Sequence, residues 1–321
     1  MQTKLPPKKT SPADIYELVT QRVIELLEKG VRPWEPGHFV QVGFPRNFQT
    51  GNYYQGVNVI MLGMQRYASP WWLTFLQAKD LGGNVRKGEK GSLVVKYGQY
   101  EASETDGDSS DGKSAKRGFL KGYSVFNACQ IEGVDFPVAA MLPVRPESQQ
   151  VAEAALIVAN MPNPPTIHEG RYGRAFYRPA TDSVDMPARG FFKSEIAFYG
   201  TLFHELAHST GHASRLARET LTESKGIGAT SEPDRKNYSR EELVAEMAAD
   251  FLSAHAGILE PEELENSAAY LQGWISVLKA KDNRRWIISA ASNAQKAADY
   301  ILGRTSETIP TESETHAKIP Q

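Results

Sequence analysis

A chain of 321 residues with 40% hydrophobic and 23% charged residues and a formal net charge of −2 can bury a sizeable core, and is neither fibrous nor wholly disordered. Its single cysteine, Cys129, excludes an intrachain disulfide and a cysteine-built zinc cluster, so any metal must be held by His, Asp or Glu. The first dozen residues contain lysines and prolines but no apolar run, and no later stretch approaches the roughly 18 apolar residues of a membrane span, so a cytoplasmic protein is expected.

The length is about that of two ordinary domains and leads us to expect two cores. After a disordered-looking arm, residues 14–29 place Ile15, Leu18, Val19, Val23, Leu26 and Leu27 on one helical face that stops at Gly30. Pro33, Pro36 and Gly37 force an irregular passage, a second helix is expected over residues 58–68, and a third near Leu73. From residue 84 the β-branched and aromatic residues of VRKGEKGSLVVKYGQY and GFLKGYSVFNACQI suggest paired strands. The polar stretch 101–117 between them lacks apolar residues and reads as a mobile insert. The proline-punctuated residues 134–146 are the best linker candidate.

The second half opens with a helix near residues 150–160, then three short strand-like runs (TIHEG, AFYRP, SVDMP). Helical patterns follow: the one bearing HELAH, then REELVAEMAADFLSAHAG, ENSAAYLQGWISVLKAKD and RRWIISAASNAQKAADYIL. A small sheet followed by helices makes the fold α+β. The boundaries expected are 1–136 for the first domain, 137–149 for the linker, 150–303 for the second domain and 304–321 for a disordered tail.

Residues 1–136 hold 17 Lys/Arg against 14 Asp/Glu, and the insert alone contains five of those acids. The remainder is mildly basic, which suits an anionic partner. Flat side chains for base stacking (Tyr53, Tyr54, Trp71, Trp72, Phe75) lie near cations for phosphates (Arg46, Arg86, Lys87, Lys90, Lys121), the combination that single-strand binding needs. Trp and Phe at such spacing also suit a core. Gly82, Gly83, Gly88 and Gly91 fit no phosphate-binding fingerprint and read as turns flanking a strand, with cations able to meet phosphate.

The strongest motif is His204-Glu205-Leu206-Ala207-His208, set in apolar, proline-free surroundings. Histidines four apart on a helix present both imidazoles on one face, where they can share a single zinc. Glu205 beside them can take a proton from a metal-bound water and deliver it to a leaving amine, which is the division of labour of a metallopeptidase. A His/His/carboxylate set also accepts other divalent ions, manganese among them.

A catalytic site needs a third protein ligand. In metzincins it is a histidine six residues after the second His; Ser214 stands there, although Gly211 matches that pattern's glycine. His212 is then an outer residue supporting the ligands or facing substrate. In gluzincins the third ligand is a Glu on a later helix, followed by a small residue and a carboxylate. Glu242, Ala245 and Glu246 have that form, so Glu242 is the expected ligand and Glu246 the partner of a ligand imidazole, with Glu246 and Glu241 as alternative ligands. Residues 182–187, just upstream, form either a sheet edge along which a peptide would lie or a plain strand end.

The chain resembles the ArdC-type antirestriction proteins of conjugative plasmids, whose N-terminal domain also occurs in some TraC-type plasmid primases. The resemblance rests on DIYELVTQRVIELLEKGVRPW, YYQGVNVIML, WWLTFLQAKDLGGNVRKGEKGSLVV and YSVFNACQIEG in the first half, and on DMPARGFF, HELAHSTGH and YSREELVAEMAADFL in the second. It implies an N-terminal single-stranded-DNA-binding domain, a C-terminal zincin-like metallopeptidase domain with its motif on His204, Glu205 and His208, and a role in shielding plasmid DNA from host restriction. Single-stranded DNA and a host protein or peptide substrate are the partners it implies; a membrane is not.

Overall fold

A computed structural model describes residues 12–101, 116–137, 142–222, 232–259, 268–280 and 283–304. The expected N-terminal arm, most of the polar insert and the tail beyond residue 304 lie outside the described residues. Among the described residues, no helix is long and apolar enough to cross a membrane.

The first helix, α1 (Pro12–Glu28), buries Ile15, Val19, Val23 and Leu27, a ridge of residues four apart. Leu18, expected on this face, is exposed, and Ile24 is buried instead, because the ridge that packs on neighbouring elements leaves Leu18 at its margin. Gly30, at φ 78°, ends the helix, and the Val31 N–H returns to the Leu26 carbonyl (2.9 Å).

Short elements follow: α2 (Gly37–Val42), β1 (Arg46–Asn47), α3 (Val57–Gly63), β2 (Trp71–Thr74) and α4 (Phe75–Asp80). The helix expected near Leu73 starts at Phe75, because Trp71 to Thr74 hydrogen-bond as a strand. Thr74 then caps α4, its hydroxyl accepting from the Gln77 N–H (3.2 Å) while the Gln77 side chain accepts from the Thr74 N–H (2.9 Å). After β3 (Asn84–Val85), the strands β4 (Ser92–Glu101) and β5 (Lys116–Asn127) form the expected antiparallel pair, in register from Ser92 opposite Val125 to Glu101 opposite Lys116. The sheet order is β1-β2-β5-β4, and β3 pairs with β6 (Ile131–Glu132) apart from it.

The second half begins with α5 (Glu147–Ala159) and a three-stranded sheet of β7 (Thr166–Glu169), β8 (Phe176–Arg178) and β9 (Ser183–Met186). Its order is β7-β9-β8, so β9 is the buried central strand, and residues 183–186 are not a free edge for a peptide. The helices α6 (Glu195–Ser209), α7 (Glu219–Thr222), α8 (Glu232–Ala256), α9 (Ala268–Lys279) and α10 (Trp286–Ile301) complete the chain. Buried alanines on α8 and α10, including Ala245, Ala249, Ala291 and Ala294, allow the two helices to pack closely.

One buried cluster runs through both halves, from Ile15, Val23 and Ile60 to Phe203, Leu252 and Ile287. The core is therefore continuous across the expected linker, since α1 packs on α9 and α3 on α10. Within that linker stretch, the Leu142 N–H donates to the Gln41 carbonyl (2.8 Å) and Arg145 donates to the carbonyls of His255 and Ala256 (3.4 and 3.3 Å) at the end of α8.

Candidate metal centre

Helix α6 is set by its cap: the Ser194 hydroxyl accepts from the Ala197 N–H (3.1 Å), and an apolar face of Phe198, Leu202, Phe203 and Leu206 locks the helix into the core. His204 and His208 then project one turn apart, with their Nε2 atoms 3.0 Å from each other. Helix α8 packs against α6 and brings Glu242 across the pair. One carboxylate oxygen lies 3.5 Å from His204 Nε2 and the other 3.5 Å from His208 Nε2.

Ligands about 2.0–2.2 Å from a tetrahedral ion lie about 3.3 Å from one another, so two nitrogens and a carboxylate at these separations fit one divalent cation. His204, His208 and Glu242 form the one such group of His, Cys, Asp or Glu among the described residues, their donor atoms all within 4.8 Å.

The electrostatics also favour a cation. Burial disfavours a charged His204, yet its hydrogen bond to the Glu242 carboxylate and the charges of Glu205, Glu242 and Glu246 prevail and lift its pKa to about 9. Burial likewise opposes ionisation of Glu242, but its bond to His204 and the two imidazoles hold it down at about 2. The Tyr238 hydroxyl, one turn earlier on α8, hydrogen-bonds Glu242, and burial raises its pKa. Glu205 is buried, and its charge acts on both His204 and Tyr238.

The carboxylate beneath a ligand imidazole is Glu241 rather than the expected Glu246. Glu241 lies 3.4 Å from His208 Nδ1, which places the proton on Nδ1 and leaves the Nε2 lone pair for the metal. Buried Arg218 donates through Nε (3.1 Å) and Nη2 to Glu241, and Thr220 donates to it as well. Arg218 also caps α6 by donating to the Ala207 carbonyl (2.7 Å). Burial opposes ionisation of Glu241, but His208 and Arg218 hold its pKa at about 2.

Glu246 instead accepts from Arg32 and Trp34 of the N-terminal half, both at 3.5 Å. It is turned toward these two side chains because Arg32, itself buried, has no other carboxylates within reach than Glu246 and Asp250 (3.4 Å) among the described residues. The buried His204 Nδ1 has no hydrogen-bond partner among the described residues. His212 lies beyond the end of α6, where its Nδ1 pairs with the Ser214 hydroxyl (2.8 Å) rather than with a ligand side chain.

The stacking candidates divide. Trp72 and Tyr54 are buried with Leu62, Val94 and Val125 and serve this core. Tyr53 and Phe75 are about half exposed, and the Arg46 guanidinium stacks over half-buried Trp71 (3.8 Å) and approaches Tyr53 (5.6 Å). Lys87, Lys90, Lys121 and Arg86 are all exposed, and Arg86 donates to Glu89 and the Cys129 carbonyl. Gly82 and Gly88 take the left-handed conformation on either side of β3, as turns there require.

Arg32, Trp34, Arg218, Thr220 and Tyr238 escaped sequence reasoning, because their roles depend on long-range packing. One local signal was present: adjacent glutamates on a helix point about 100° apart, so Glu241 and Glu242 cannot serve the same side of an imidazole.

Comparison with known proteins agrees with this layout. Residues 13–126 match the N-terminal domain of anti-restriction factor ArdC, and residues 155–293 match a zincin-like metallopeptidase. The chain is 34% identical over 326 residues to an Escherichia coli DNA primase TraC, covering 95% of this chain but 28% of the primase, so it spans about a quarter of that protein. It is 32% identical over 307 residues to protein y4eC of Sinorhizobium fredii, covering 92% and 94% of the two chains. The metal-free crystal structure of the antirestriction ArdC protein from plasmid R388 matches with 37% identity and a TM-score of 0.68, covering 90% of this chain and 96% of that one. Its Mn(II)-bound form matches at 36% identity with the same TM-score, over 90% and 97%. With the ArdC N-terminal domain, the zincin-like domain and nearly the whole length of ArdC in common, the chain belongs to the ArdC family of antirestriction proteins.

Proposed function

We propose that this antirestriction protein binds single-stranded DNA through its N-terminal half, residues 1–136, and acts on a protein or peptide through a divalent-metal site in residues 150–303. The observation that carries the second part is the convergence of His204, His208 and Glu242 beside buried Glu205. These three side chains hold the metal, zinc or manganese, and Tyr238 and Glu241 fix the orientation of Glu242 and His208. A bound divalent cation supplies Lewis acidity, polarising a carbonyl and bringing the pKa of a water toward neutrality. Glu205 then takes the proton from the attacking water on its carboxylate and passes it to the leaving amine.

The strand-binding part rests on Tyr53, Trp71 and Phe75 as stacking surfaces and on Arg46, Lys87, Lys90 and Lys121 as cations. Incoming plasmid DNA in the cytoplasm is the setting in which both activities serve protection from host restriction.

The test compares protection of plasmid DNA by wild type and Glu205→Ala in recipient cells that carry a restriction system. We expect the variant to keep its metal and its strand binding but to lose protection. Full protection by the variant would overturn the peptidase reading and leave DNA coverage as the sole mechanism.

A further inference from the structure

A cavity of about 830 Å³ lies where residues 39–55 of the N-terminal half meet the ends of α8 and α10. Its volume falls in the range of about 300–1,000 Å³ typical of small-molecule sites. None of its lining residues belongs to the metal centre. Along α8 the thirteen residues from Glu242 to His255 span about 20 Å, so the cavity is not the peptide subsite of the metal centre. We propose that it holds one unstacked nucleotide of a single DNA strand, an inference that rests on the reading of the N-terminal half as a strand-binding surface.

Flat rings form one wall. Phe44 stacks parallel to Phe39 (centroids 5.2 Å apart, planes at 1°) and also stacks against His255 (4.6 Å, 23°). Burial, reinforced by Arg304, lowers the His255 pKa to about 3, so this ring is neutral and gives an uncharged face. At the margin stands Tyr53, which connects the cavity to the Arg46 and Trp71 stack. A base drawn from the strand therefore leaves one aromatic surface for another.

The polar groups suit a base edge and a phosphate. Gln295 donates to Asp299 (3.2 Å) and accepts from the Gly56 N–H (3.2 Å), so its amide is held in place at the cavity wall. Asn52 adds a further amide. Arg304 lies 3.7 Å from Asp299 and 3.3 Å from His255 Nε2, and Arg145 lines the same space, which gives two guanidinium groups against one carboxylate.

The experiment uses the full chain, metal-loaded, with a twelve-residue oligothymidylate that carries one central 2-aminopurine. Wild type should bind it with a change in 2-aminopurine fluorescence, and free dAMP should compete. Tyr53→Ala, Arg304→Gln and Gln55→Trp, the last narrowing the mouth, should each weaken binding about ten- to a hundred-fold. Their melting temperatures and metal content should stay at wild-type values, which separates a lost subsite from a misfolded one. If the variants bind the strand as wild type does, the cavity is not a nucleotide site although the strand-binding reading stands. If wild type binds no single strand, that reading fails and this proposal fails with it. Competition by an aromatic peptide and not by dAMP would reassign the cavity to a protein partner.

Discussion

Glu241 places a carboxylate oxygen 3.4 Å from the Nδ1 of His208, with Arg218 locked onto its far side. Neutralising the carboxylate in Glu241→Gln should lower metal affinity about 10–100-fold, because an outer partner of a ligand imidazole fixes its tautomer and basicity. Arg218→Met should cost about 3–5 kcal/mol of stability, since it leaves Glu241 buried and unpaired. The double variant should be less damaged than the sum of the two, as contacting residues are not additive. Titration calorimetry and chemical denaturation of the three proteins check this; additive losses would show that the pair does not act as a unit.

Asp250 gives the stability a pH dependence. Burial raises its pKa to about 8 in spite of Arg32, so between about pH 4 and 8 the folded state holds a proton that the unfolded state has released. A raised acid contributes stability that is full below its unfolded pKa and is lost as pH rises through the folded one, at up to about 1.4 kcal/mol per pH unit. Asp250→Asn cannot titrate, so its stability relative to wild type should grow steadily from pH 5 to pH 8 in denaturant unfolding. A difference constant across that range would refute the assignment.

Trp71 and Trp72 are neighbours with opposite roles. Trp72→Ala should destabilise the protein by about 3–5 kcal/mol, because it empties a core shared with Leu62, Val94 and Val125. Trp71→Ala should leave folding nearly intact and cost about 1–3 kcal/mol in single-strand affinity, with the salt dependence unchanged because no phosphate contact is lost. Thermal melting and strand titration at two salt concentrations distinguish the two residues. Equal destabilisation by both would place Trp71 in the core as well.

The elements that were legible in the sequence are those with local causes. The spacing of His204 and His208 fixes their common face, and the β-branched and aromatic residues of 92–101 and 116–127 mark the paired strands. What the sequence hid depends on distant partners. Glu246 looked like a support for an imidazole until the N-terminal half supplied Arg32, 214 residues away in the chain. Residues 183–186 could be a strand end or an edge, and only the flanking β7 and β8 make them central. Leu73 lies in a strand because β1 and β5 flank β2, a pairing no local propensity encodes. The continuous core was equally hidden, since it arises from packing of α1 on α9.

The most direct test of the metal centre measures Mn(II) and Zn(II) bound per chain after saturation and dialysis, in wild type, His204→Ala, Glu242→Ala and Glu205→Ala. One divalent ion is expected in wild type and in Glu205→Ala, and none in His204→Ala or Glu242→Ala. Full occupancy in Glu242→Ala would contradict this expectation, and would show that the third ligand lies elsewhere.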